Sequence, residues 1–80
     1  MGKQMTVQEL NRVFGENVRR YRKQKGMSGV KLARELGVHP TMISDYQRGA
    51  NLPHYRNLVS LAFVLGVEPW QLFCPNEAGK

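Results

Sequence analysis

At 80 residues the chain has room for one domain, close to the lower limit of what folds without disulfides or bound metal. Its 12 Lys and Arg against 6 Asp and Glu leave a formal charge of +6, which suits a polyanionic partner, and 41% hydrophobic residues fit a globular chain. A lone cysteine, Cys74, excludes an intramolecular disulfide, His39 and His54 lack metal-ligand spacing, and no apolar run reaches the roughly 18 residues of a membrane span.

The first few residues are expected to be loose, and the N-terminus, MGKQMTVQEL, contains no signal-peptide core. Within it Thr6-Val7-Gln8-Glu9 reads as a capping box, Thr6 at the N-cap and Glu9 at N3, with Met5 and Leu10 in the positions of a hydrophobic staple. Leu10, Val13, Phe14, Val18 and Tyr21 then return to one face of a helix over 6–25. Gly15 falls inside it, so the pattern predicts either one weakened helix or two pieces. The other side carries Arg12, Arg19, Arg20, Arg22, Lys23 and Lys25, and Glu16 is the only acid between Arg12 and Lys31. Gly26, Gly37, Gly49 and Gly66 each follow a helical pattern, where a left-handed C′ residue is wanted. Pro40, Pro53 and Pro69 lie near the start of the next pattern, where a missing N–H costs nothing. This punctuation predicts helices over 6–25, 29–36, 40–48, 54–65 and 69–73, no strands, and a frayed end from Pro75. The expected fold class is all-α, a compact five-helix bundle in one domain spanning 1–80, with its core over 6–73.

The segment Ser28–Gly49, SGVKLARELGVHPTMISDYQRG, places two short helices around a turn at Gly37. Leu32, Ala33 and Leu36 face Val38, Ile43 and Tyr46 across that turn. This is the arrangement of a helix-turn-helix, which leaves the outer face of its second helix free for the DNA major groove. With Pro40 at N1 and Ile43 and Tyr46 inward, the outward positions are Pro40, Thr41, Ser44, Asp45 and Arg48.

Further positions extend this pattern: Gly15, Val18 and Arg22; Ser28, Leu32-Ala33 and Leu36-Gly37-Val38; Ile43-Ser44 and Arg48-Gly49; Pro53, Leu58, Leu61-Ala62, Leu65-Gly66-Val67 and Leu72-Phe73. Taken together, Phe14 to Phe73 resembles the Cro/CI-type, lambda-repressor-like helix-turn-helix domains. The resemblance implies a sequence-specific regulator of transcription, a repressor, that reads double-stranded DNA with helix 40–48 and has no catalytic activity and no cofactor. It implies a homodimer on a palindromic operator, in the cytoplasm or on the nucleoid, with no membrane partner. Equivalents of Pro40, Thr41, Ser44 and Asp45 commonly reach base edges in this family. Thr41 and Ser44 suit a base hydrogen bond or a thymine methyl, and Asp45 can accept from cytosine N4. Thr41 also suits a first-turn cap contact, and Asp45 a solvated or ion-paired role. Arg48, one turn on, suits a phosphate or a flanking guanine. Phosphate contacts are expected from Ser28 and Gly29 at the start of the second helix, from Lys31, Arg19 and Arg22, and from Asn51 and Tyr55.

Three positions depart from the family pattern. Gly29 replaces a usual Gln, Pro40 replaces a polar residue that reads bases, and Gln47 replaces the Glu that pairs with the arginine at Arg22. Direct readout is therefore expected to be sparse, with a larger share from DNA shape. Val59, Phe63, Val64 and Trp70 form an apolar group, where the family often has Lys, Glu or Ala at Phe63 and Val64 and commonly a polar residue at Trp70. Either they make a dimer interface, as C-terminal helices do in this family, or the first turn of the chain (Val7, Leu10, Val13) covers them. A second functional reading is a protein-interaction module, antitoxin-like or an adaptor, with weak or no DNA binding. An enzyme is not expected: the chain shows no nucleophile–base pair, Gly-rich phosphate loop or paired carboxylates, and His39 and His54 fall at helix starts.

Overall fold

The computed structural model describes residues 5–75. Four α-helices, α1 (Val7–Gln24), α2 (Gly29–Leu36), α3 (Pro40–Gln47) and α4 (Tyr55–Leu65), lead into a 3₁₀ helix (Pro69–Phe73), and there is no strand among the described residues. The expected all-α architecture is observed, with one refinement. The fifth element has only 5 residues, opens on Pro69 and runs into Pro75, and it takes 3₁₀ geometry. The looseness expected of the chain ends concerns 1–4 and 76–80, which lie outside the described residues.

The helix starts follow from their capping residues. The Glu9 amide donates to Thr6 Oγ1 at 3.0 Å and the Thr6 amide donates to Glu9 Oε1 at 2.9 Å, closing the capping box of α1. Ser28 Oγ accepts from the Lys31 amide at 3.0 Å, and His39 Nδ1 accepts from the Thr41 amide at 3.1 Å. At the helix ends, Gly26, Gly37, Gly49 and Gly66 all take positive φ. Gly37 matters most, since its φ of 72° turns the chain from α2 into α3 while the Val38 amide closes onto Ala33 O at 3.0 Å.

The core draws on every element: Phe14 and Val18 of α1, Leu32 and Ala33 of α2, Ile43 and Tyr46 of α3, Leu61, Ala62 and Leu65 of α4, and Leu72 of the 3₁₀ helix. Phe14 stacks on Phe73 with ring centroids 5.3 Å apart and meets Tyr46 edge-on at 6.0 Å.

Of the two outcomes expected at Gly15, the structure has the single helix: α1 runs through it for 18 residues. Its role is close approach. A Cβ there would sit 2.7 Å from Gln47 O and closer still to Tyr46 O, so α1 and the end of α3 pack backbone against backbone. On another side of α1, buried Asn17 holds the C-terminal segment. Its Nδ2 donates to Leu72 O at 2.9 Å, Cys74 O at 2.8 Å and, less tightly, Gln71 O at 3.3 Å, while its Oδ1 accepts from Arg20 Nη2 at 2.7 Å.

Candidate nucleic-acid interface

The outward residues of α3 are where the helical period places them. Pro40, Thr41, Ser44 and Arg48 are exposed, Asp45 is half-buried, and Ile43 and Tyr46 are buried beneath. No hydrogen bond among the described residues occupies the hydroxyls of Thr41 or Ser44; only the Thr41 amide is engaged, by His39. Asp45 is ion-paired with Arg48. Met42 is also exposed on this helix, a residue that the outward pattern omitted. Burial pushes the Tyr46 phenol above its ordinary pKa, the Asn57 side chain offsets this only in part, and the ring lies beneath the outward face of α3.

The start of α2 adds a second element. Ser28 caps only the Lys31 amide, so the Gly29 and Val30 amides remain at the positive end of the helix dipole. A Cβ at Gly29 would meet only Ile43 Cγ2, at 3.8 Å, so packing does not demand glycine there.

Arg22 ties these elements together. Its Nε donates to Gln47 Oε1 at 2.9 Å, at the end of α3, and its Nη1 donates to Met27 O at 2.8 Å, just before α2. The neutral hydrogen bond expected from Gln47 is therefore present, and among the described residues no carboxylate pairs with the guanidinium. Gly15 and Arg22 both meet α3, and Arg19 lies between them at helical spacing on the same side, exposed. The remaining basic residues of α1 do not form one face. Arg20 bonds Asn17 and covers the Tyr21 ring at 4.4 Å, Lys25 Nζ lies beside Gly66 at the end of α4, and Arg12 pairs with Glu16. Lys31 is exposed and pairs with Glu35 at 3.5 Å. Asn51 and Tyr55 are exposed after α3, and the Tyr55 ring lies against His54 at 4.6 Å.

The apolar group on α4 divides. Val59, Phe63 and Trp70 are exposed, Phe63 by 84%, whereas Val64 packs half-buried against the core. Tyr55, Val59 and Phe63 recur every fourth residue, so Tyr55 extends this stripe. The first turn of α1 does not cover it: Val7 is itself exposed and Val13 is buried. Among the described residues no helix is long and apolar enough to cross a membrane, and no cluster of metal-ligating side chains occurs.

A family model described as helix-turn-helix matches residues 18–69. The chain belongs to the helix-turn-helix family. Among its relatives, the control protein C.BamHI of Bacillus amyloliquefaciens is 41% identical over 61 residues, 75% of either chain. The crystal structure of the hypothetical transcription factor NHTF from Neisseria superposes with a TM-score of 0.81 at 31% identity, covering 96% of this chain and 88% of that one. The regulator of biofilm formation SinR, solved in complex with DNA, superposes with a TM-score of 0.71 at 31% identity over 76% of this chain and 98% of that one. As a helix-turn-helix protein of the Cro/CI type, the chain is a DNA-binding transcriptional regulator.

Proposed function

We propose that this protein is a sequence-specific repressor that places α3 in the major groove of a palindromic operator and acts as a homodimer. The observation that carries the reading is the outer face of α3: Thr41 and Ser44 offer unoccupied hydroxyls, and Arg48 an exposed guanidinium, on one helical strip. Pro40 begins that strip and brings the backbone close to the base edges without reading them. Around it, the Ser28 and Gly29 end of α2, with Lys31, Arg19, Arg22, Asn51 and Tyr55, supplies phosphate contacts that set the register. Repression then follows from occupancy alone.

In vitro selection of bound duplexes tests this reading. The expected product is a palindrome whose half-sites lie about one helical turn, roughly 34–36 Å, apart. A selection that returns no motif contradicts it.

The homodimer rests on the uncovered stripe of Val59, Phe63 and Trp70, with Val64 beneath it. Sedimentation velocity is expected to give a dimer for the wild type and a monomer for Phe63→Lys/Trp70→Lys, both with unchanged helical circular dichroism. A wild-type monomer that still binds duplex DNA removes the dimer from the account, and one that binds no DNA favours the protein-interaction reading.

A further inference from the structure

Asp45 and Arg48 stand three residues apart on α3 and pair with each other, the carboxylate sheltered and the guanidinium outward, with side chains 24% and 66% exposed. No other ion pair among the described residues involves either. Arg48 caps α3 and continues the strip of Thr41 and Ser44. A bare carboxylate on a face that meets phosphates is repelled. A paired one cancels that repulsion and also fixes a long side chain whose freedom would otherwise be lost on binding.

We infer that Asp45 is a positioning residue: it reads no base itself, and it holds the Arg48 guanidinium so that the remaining N–H donors engage O6 and N7 of one guanine per half-site. This rests on the reading of α3 as the helix in the groove. Only one of the guanidinium donors is spent on Asp45 Oδ1, and the rest form the rigid fork that matches the two acceptors on the major-groove edge of guanine. The assignment differs from an acceptor role for Asp45 toward cytosine N4, although both choose the same base pair.

The test uses the intact protein and its selected duplex. Replacing the guanine by 7-deazaguanine, which lacks N7, is expected to weaken wild-type binding about tenfold and to leave Arg48→Met unaffected. N4-methylation of the opposing cytosine is expected to have little effect. Asp45→Asn provides the decisive sign. Loss of an acid alone tightens binding to every duplex, whereas loss of positioning also lowers the preference for guanine about tenfold while non-specific binding rises. Equal melting temperatures for wild type and variants show that the fold is unchanged. Asp45→Asn with full guanine preference overturns the inference, as does sensitivity to the methylated cytosine in place of 7-deazaguanine. A wild type that selects no motif fails earlier, at the placement of α3.

Discussion

Gly15→Ala is expected to cost about 3 kcal/mol of stability. That is a large share of the roughly 4–12 kcal/mol that holds a domain of this length together. Helix propensity predicts the opposite sign, since alanine in mid-helix is worth about 1 kcal/mol over glycine. Packing decides the outcome. The new Cβ would press on backbone oxygens of Tyr46 and Gln47, and backbone cannot rotate away as a side chain tip can. Relief requires α1 and α3 to separate, which also pulls Arg22 from Gln47. Urea denaturation followed by circular dichroism measures the effect. Gly29→Ala is the control: its Cβ finds ordinary contact at 3.8 Å and an unchanged or slightly higher midpoint is expected. A Gly15→Ala midpoint at or above wild type would mean that α1 and α3 are not in backbone contact.

Asn17→Leu is expected to be similarly severe, about 3 kcal/mol, because the change fills the space but strands the buried carbonyl of Leu72 and the part-buried one of Cys74 and leaves Arg20 without its acceptor. The near-isosteric Asn17→Asp is expected to be no better, since a carboxylate accepts where these carbonyls need a donor. Both variants should release the 3₁₀ helix first, and chymotryptic cleavage after Trp70 or Phe73 should accelerate before α1–α4 unfold. If Asn17→Asp resists cleavage as wild type does, the amide bonds do not hold this segment.

These two residues also mark where the sequence stops being informative by pattern alone. The glycine and proline punctuation, with the capping residues at Thr6 and Ser28, located the helices, because a left-handed C′ residue, a side-chain cap and a proline at N1 are local requirements that need no knowledge of the partner. Gly15 read as a defect because its reason lies about thirty residues away, in the carbonyls that end α3. Asn17 had a signal that passed unused: it lies on the Phe14–Val18–Tyr21 stripe, and a polar residue on a core stripe needs partners. The basic side of α1 misled in a similar way. Its charges share a segment of chain but separate in space, Arg19 and Arg22 toward α3, Arg20 and Lys25 toward the C-terminal elements. The outward face of α3 was legible because helical period alone places Pro40, Thr41, Ser44 and Arg48 outward. The pairing of Asp45 with Arg48 depends on rotamers and was one of two open roles for the acid.

Two of the three departures from the family pattern, Gly29 and Gln47, acquire a common sense in the structure. Gly29 leaves the α2 amides unshielded, and Gln47 holds Arg22 without neutralising it. Both exchange a specific side-chain contact for positive potential beside α3. In the proposed complex, affinity therefore comes chiefly from phosphates and in smaller part from base edges.

Equilibrium binding to the selected duplex across a range of salt concentrations tests that claim most directly. The expected result is a linear fall of log K against log salt with a slope of about −0.9 per phosphate engaged, steep enough to report several contacts, and a slope shallower by about 1 per protomer in Arg19→Gln. A binding constant that does not change with salt would contradict it.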